Sequence, residues 1–394
     1  MDEHRGFDHL LFFVVVALMG LGLIMVYSAS SITSLTERAD ALYYFKRQLL
    51  WVALGLLGMF WFARVPYRSL QSYALPLLLV ALFFLILVLI PGVSREIGGA
   101  RRWLRIGGQG FQPSEFAKLV FVIYMAWSIS AKQDRIKELV RGVLPDLAVM
   151  TIFFVLILKG PNLSTAAIVA GTYFLMLFLG NGSLAHLSWM VGAGVVTLVG
   201  LIFEKGYRMK RFLAFLDPWS SAKTSGYHII QSLIAIGAGG VWGLGLGQSR
   251  QKFFLLPERH TDFIFAIICE ELGLVGGVTV VVLFGILIWR GFYVAVRAPD
   301  MFGFLLASGI TVVIALQVLI NLGVVLSLLP TTGVTLPFVS YGGSSLLFLA
   351  VMVGILLNVS RFGSSQHAVV DHQRQPFIRW LNRSWERLSV RARR

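Results

Sequence analysis

The sequence predicts an all-α polytopic membrane protein of about ten transmembrane helices. Hydrophobic residues fill 57% of the 394 positions and charged residues only 13%, with a mean hydropathy of +0.78, a composition suited to a chain solvated by lipid. Apolar runs of roughly 20 residues, enough to cross a bilayer at about 1.5 Å rise each, recur along nearly its whole length. Thirty phenylalanines and 10 tryptophans fit lipid-facing and interfacial positions.

On that ruler the spans fall near 10–29, 44–63, 70–90, 112–130, 143–159, 163–180, 184–203, 263–289, 303–327 and 340–361. The first, followed by YSASS, has the outline of a signal peptide. Its apolar run outlasts a usual signal core and further spans follow, so a retained first helix is expected. Ten spans place both ends on one side. The short loops there hold Arg64, Arg68, Lys132, Arg135, Lys137, Arg141, Arg290 and Arg297, which the positive-inside rule assigns to the cytoplasm. The other side is basic too, through Arg95, Arg101, Arg102 and Arg105 in the 91–111 loop and Lys205, Arg208, Lys210 and Arg211 after the seventh span. Long translocated segments are weakly governed by that rule, whereas the shorter 91–111 loop breaks it, which points to a task for its charge outside.

Residues 1–362 are expected to form one transmembrane domain whose large extracytoplasmic loop is 204–262. Within that loop GAGGVWGLGLGQS (237–249) is expected to fold against the bundle or re-enter it, because non-helical backbone at membrane depth must be covered by protein or line a wet cavity. Residues 363–394 form a cytoplasmic basic tail. There Phe377, Ile378, Leu381, Trp385 and Leu388 recur at helical spacing opposite Arg379, Arg383, Arg387 and Arg391, the pattern of an amphipathic helix on an anionic leaflet; a disordered basic tail is the alternative. The net charge of +15 is better matched to anionic lipid or a lipid-linked anion than to nucleic acid in such a chain. No Walker motif, dinucleotide fingerprint or zinc-ligand cluster is present, and the lone Cys269 excludes an internal disulfide.

Chemistry concentrates in FFLLPERHTDFIFAIICEELG (253–273). Ionisable groups at the hydrocarbon boundary are costly, so each is a functional group or one member of a neutralised pair. Asp262 opens the eighth span beside His260. Partial burial would raise its pKa and suit it as a proton acceptor near neutral pH; a helix cap or an ion pair with Arg259 would be the structural uses of the same residue. Glu115 and Lys118 share a face of the fourth span, as an internal ion pair or as part of a binding cavity. Arg101, Arg102 and Arg105 surround Trp103, and guanidinium forks match phosphate oxygens, whether of a headgroup or of a ligand. Glu270 and Glu271 lie two turns deeper and fit structural partners better than proton acceptors.

These stretches together resemble the SEDS family (shape, elongation, division and sporulation), the polytopic peptidoglycan glycosyltransferases that include FtsW, RodA and SpoVE. The match runs to about residue 362 and rests on ARRWL (100–104), FQPSEFAKL (111–119), LPERHTDFIFAIICEELG (256–273) and LPFVSYGGSSLL (336–347). LGLGQSRQKFFLLPERHTDF and LPTTGVTLPF look more like FtsW or SpoVE than RodA, which tends to carry Pro where Thr335 stands. KGPNLSTA (159–166) departs from the common QPDLGTA, leaving Asn162 where an acid is usual, and Thr332 replaces a frequent Lys.

The resemblance implies a ten-helix fold that polymerises lipid II into β-1,4 glycan on the outer face of the cytoplasmic (inner) membrane, for septum synthesis in cell division. It places the essential aspartate on Asp262, with Glu115, Lys118 and His260 in the same cavity. Arg101, Arg102, Trp103, Arg105, Gln112, Ser114, Arg208, Lys210, Ser340 and Gly342 are then expected to bind the pyrophosphate and lipid II. No cofactor is certain; a divalent cation, magnesium or manganese, is admitted by the pyrophosphate chemistry, with no metal ligand named. A class B penicillin-binding protein, a transpeptidase, and other divisome membrane proteins are the implied partners, and no nucleic acid is expected. A lipid II flippase and a non-catalytic divisome scaffold are the alternatives that the charged interior leaves open.

Overall fold

The structure, a computed structural model, describes residues 7–97, 100–106, 109–253 and 256–363. The amphipathic helix expected in the tail lies outside the described residues. In chain order the elements are α1 (His9–Arg38), α2 (Tyr43–Phe62), α3 (Ser69–Ser72), α4 (Ala74–Leu87), β1 (Ser94–Ile97), β2 (Ala100–Ile106), β3 (Gln109–Phe111), α5 (Pro113–Ala131), α6 (Leu144–Lys159), α7 (Leu163–Leu179), α8 (Leu184–Glu204), α9 (Gly206–Leu216), α10 (Tyr227–Gly239), α11 (Ile264–Val296), α12 (Met301–Val325) and α13 (Gly343–Phe362).

Each expected span falls on a helix. Among the described residues seven helices, α1, α5, α6 with the turn before it, α8, α11, α12 and α13, are long and apolar enough to cross a membrane; α4 and α7 are apolar but shorter, and α2 carries Lys46 and Arg47 in its first turn. The chain is thus a multi-pass membrane protein. Asp8 caps α1 by accepting the Leu11 amide at 3.0 Å, and the helix runs past residue 29 to Ala39, whose left-handed backbone ends it.

The 91–111 stretch, expected as a loop, is instead a three-stranded antiparallel sheet in the order β1-β2-β3. Trp103 pairs with Arg95 and Leu104 with Phe111. Segment 204–262 likewise contains two helices, the amphipathic α9 and the apolar α10, rather than a single irregular loop.

The bundle is built around α12, which packs against α5, α7, α11 and α13 and buries 78% of its apolar window, whereas α8 at the periphery buries 11%. The Gly-rich segment folds against the bundle as expected, and it does so at an interruption of α11. Gly273 (φ 68, ψ −167) breaks that helix. The Leu244 and Gly245 amides donate to the carbonyls of Glu270 and Glu271, both at 3.0 Å, and the Leu274 and Val275 amides donate to Gly240 and Val241 at 2.9 and 3.3 Å. Backbone groups freed by the break are therefore satisfied across the interface instead of being left bare in hydrocarbon. A Cβ on Gly273 would overlap Gly243 and Val241.

The two carboxylates beside the break are anchors, in line with the structural use expected of them. Glu271 accepts from Ser28 Oγ of α1 at 2.7 Å and lies 3.6 Å from Lys252 Nζ. Glu270 accepts from the Arg250 amide at 2.9 Å and from Ser249 Oγ. Cys269, adjacent to them, is buried.

Candidate active site

Asp262 sits one residue before the N-cap of α11, which is Phe263. Neither structural use of its carboxyl is found among the described residues. No side chain caps α11, and the Arg259 guanidinium turns instead to α1, donating to Ala29 O at 3.3 Å and to Thr33 Oγ1. What holds Asp262 is its backbone: Asn321 Nδ2 of α12 donates to Asp262 O at 2.8 Å and to Val334 O at 2.7 Å. The carboxyl itself faces Gly333, where an added Cβ would come within 3.3 Å of Oδ2. Burial pushes the Asp262 pKa up to about 7, and the Glu258 carboxylate adds to the rise, while Arg102 and Arg211 oppose it. The result is a carboxyl that changes charge near neutral pH within electrostatic reach of two guanidinium groups.

The turn before it is tied to the start of α13. Ser340 Oγ donates to Thr261 O at 2.6 Å and accepts from the Leu336 amide at 2.8 Å, and the Tyr341 amide donates to His260 O at 2.9 Å. The His260 ring packs against Tyr44 and Tyr341 at centroid distances of 4.8 and 5.7 Å. Burial lowers its pKa to about 4 against the pull of Glu258, so His260 is neutral at pH 7 and braces the turn by ring packing.

On α5, Lys118 and Glu115 form a buried ion pair at 3.0 Å. Pro113 starts this helix and Glu115 stands in its first turn, where the helix dipole favours a carboxylate. Lys118 Nζ also donates to Gln317 Oε1 at 2.7 Å, and Gln317 Nε2 donates to Thr335 O at 3.1 Å. Gln317 and Asn321 lie one turn apart on one face of α12. That face joins the α5 pair to Asp262 through the 333–335 backbone.

The basic residues divide. Arg102 leaves β2 to donate to Gly160 O at 2.9 Å and to Pro161 O, and burial works against its charge while Asp262 supports it. Trp103 packs over Gly110, and Arg105 is exposed. The side chain of Arg101 lies outside the described residues. Gln112 Nε2 donates to Ser114 Oγ at 3.1 Å, and its amide to Ser344 Oγ at 3.3 Å. Two residues expected at the pyrophosphate are not brought to Asp262. Arg208 turns back along the chain to Leu201 O at 2.8 Å, drawn by the carbonyl end of α8, and Lys210 is exposed on α9. Arg211, one turn on from Arg208, takes that place, reaching Thr331 O at 3.4 Å and acting on Asp262. Gly342 caps α13, but Gly343 is the glycine that packing demands, since a Cβ there would overlap the Trp51 indole.

A sequence profile described as cell cycle protein, covering FtsW, RodA and SpoVE, matches residues 8–365. The chain belongs to the FtsW, RodA and SpoVE family. It is 45% identical over 355 residues to stage V sporulation protein E of Bacillus subtilis, covering 90% of this chain and 97% of that one. It is 44% identical over 357 residues to a probable peptidoglycan glycosyltransferase FtsW of Trichlorobacter lovleyi, covering 90% and 93%. Among solved structures it resembles a chain described under structural coordination of polymerization and crosslinking by a peptidoglycan synthase complex, with a TM-score of 0.75, 31% identity and coverage of 90% and 98%. RodA of Thermus thermophilus superposes with a TM-score of 0.66, 31% identity and coverage of 90% and 96%.

The motifs that carry the FtsW, RodA and SpoVE resemblance thus meet at one end of the bundle: ARRWL in β2, FQPSEFAKL opening α5, LPERHTDF leading into α11 and LPFVSYGG entering α13. Asn162 caps α7 by accepting the Thr165 amide at 3.2 Å. Gln317, Asn321 and Arg211 were missed by the sequence analysis. A polar pair one turn apart inside an otherwise apolar span was the available signal for the first two.

Proposed function

We propose that this family member is a peptidoglycan glycosyltransferase in which Asp262 is the general base, polymerising lipid II into β-1,4 glycan for septum synthesis. The observation that carries this is the Asp262 carboxyl, which has no ion-pair partner among the described residues and faces Gly333 where the family motifs meet, with Arg102 and Arg211 near enough to act on its charge. The Asp262 carboxylate takes the proton of the acceptor GlcNAc 4-hydroxyl as that oxygen attacks C1 of the donor MurNAc with inversion. The C1–O bond to undecaprenyl pyrophosphate breaks, and negative charge grows on the leaving phosphate. Arg102 and Arg211, with Arg101 and Arg105 of the same sheet, are the donors for that charge. Among the described residues no three His, Cys, Asp or Glu side chains converge.

Positive-inside orientation puts both ends of the chain in the cytoplasm and Asp262 at the outer mouth. A class B penicillin-binding protein is the proposed partner, since its transpeptidation consumes the glycan strand that this reaction makes, and other divisome membrane proteins would join the pair. The test is purified full-length protein given lipid II with and without that partner. Wild type should make glycan chains, and Asp262→Asn should lose about 10²–10⁴-fold in rate, the usual worth of general-base assistance, with folding and lipid II binding retained. Undiminished synthesis by Asp262→Asn would remove the assignment. In liposomes, labelled lipid II that changes leaflet without forming polymer would instead support a flippase, the function that the buried Glu115–Lys118 pair also suits.

A further inference from the structure

A charged cavity of about 370 Å³ lies at the end of the bundle remote from Asp262. It is lined by Asp8, Leu10, Arg290, Tyr293, Arg297 and Gly363 among others, so it gathers the start of α1, the end of α11 and the end of α13. Asp262 and Arg297 flank the two ends of α11, which spans 33 residues with its break at Gly273.

Its charges do not cancel. Asp8 is spent twice over: one oxygen caps α1, and the other accepts from Arg290 at 2.5 Å. Arg290 and Arg297 both lie over the Tyr293 ring, at 4.1 and 3.9 Å from its centroid. Among the described residues no carboxylate is paired with Arg297, which leaves one guanidinium in excess. Stacking on a ring occupies the face of a guanidinium and leaves its N–H edge for an anion.

The wall beside the cavity is apolar and outward-facing. Leu10 and Phe13 on α1 are 44% and 63% exposed, and Trp289 on α11 is 45% exposed. A planar donor edge next to an apolar wall at a helix end has the amphipathic layout of a phospholipid.

We propose that this cavity binds the phosphate of an anionic phospholipid, with Arg297 as principal donor, Arg290 and Tyr293 bracing it, and the acyl chains lying along Leu10 and Phe13. Such a lipid would join three helix ends between which Asp8 with Arg290 is the one ion pair among the described residues. The site is separate from the proposed glycosyltransferase centre and stands whether or not that assignment does.

The test is native mass spectrometry of delipidated full-length protein titrated with phosphatidylglycerol or phosphatidylcholine. Arg297→Ala is expected to weaken phosphatidylglycerol binding about 5-fold or more, from about 1 kcal/mol per basic residue at an anionic lipid, and to leave phosphatidylcholine binding unchanged. Arg297→Lys keeps the charge without the planar fork and should fall between; it carries the comparison if the alanine variant does not fold. Arg38→Ala, at the other end of α1, should bind as wild type does. Equal phosphatidylglycerol affinity in wild type and the Arg297 variants would overturn the site. An equal loss in Arg38→Ala would overturn it in favour of general surface attraction, and displacement of the lipid by excess inorganic phosphate would overturn the lipid source in favour of a soluble anion.

Discussion

At the scale of single residues, the environment of Asp262 sets a pH dependence. A general base works only when deprotonated, and the pKa of this one is raised to about 7. Glycan synthesis should therefore rise about tenfold per pH unit below 7 and level off above it. The neighbours give the inflection a sign. Arg211→Ala removes a positive charge that opposes the rise and should move the inflection to higher pH, while Glu258→Gln removes a negative one and should move it lower. Arg211 is exposed, so its shift should shrink as salt is added. A pH–rate profile of the three proteins checks this, and shifts of the opposite sign would count against Asp262 as the titrating group. Asp262 itself was legible in the sequence because a charge at the start of an apolar span has few cheap explanations. Arg211 was not, because Arg208, Lys210 and Arg211 are equivalent as a string. Which of them acts on the carboxyl is decided by the face of α9 that brings Arg211 to Thr331 and by the carbonyl end of α8 that captures Arg208.

At the scale of elements, the break in α11 should tolerate no side chain. Gly273→Ala forces an L-residue to φ 68, a cost of about 1–3 kcal/mol from the backbone alone, and also overlaps Val241 and Gly243. A large loss of folded yield and melting temperature is expected, whereas substitution at Gly285, which has open space around it, should be mild. The α5 pair makes a different prediction. Lys118→Ala strands Glu115 in the interior and should cost roughly 3–5 kcal/mol. In a Glu115→Gln, Lys118→Met double variant the stranded charge is gone and stability should largely return. If glycan synthesis returns with it, the pair is structural; if synthesis stays absent in a stable protein, the pair serves the substrate. Helices were read well from hydropathy because lipid forces each span to be continuous. The β1-β2-β3 sheet was not, although the Gly98-Gly99 and Gly107-Gly108 pairs on either side of β2 are the kind that tight hairpin turns favour. Short strands lying on top of a bundle bury too little to print a strong alternation. The helices α9 and α10 were hidden for the opposite reason, since glycine content masked α10 and net charge masked α9.

At the scale of the whole molecule, the two ends of the bundle have different chemistry. One gathers the family motifs around Asp262, and the other gathers the start of α1 and the ends of α11 and α13 around Arg290 and Arg297. Orientation across the bilayer therefore decides which chemistry meets which compartment, and the lone cysteine makes that orientation measurable. Cys269 is 6% exposed and packed against Gly277, beyond the reach of a water-borne maleimide. The native chain is thus silent to thiol labelling, and single cysteines can be introduced without first removing a background one. A cysteine replacing Trp219, which is 70% exposed, should label in intact cells, while one replacing the exposed Lys137 should label only after the membrane is opened. The reverse pattern would invert the proposed topology. A residue buried for packing beside the break in α11 thereby leaves the entire surface open to site-specific probes, including fluorophores placed across the two ends to follow their separation as lipid II is bound and used.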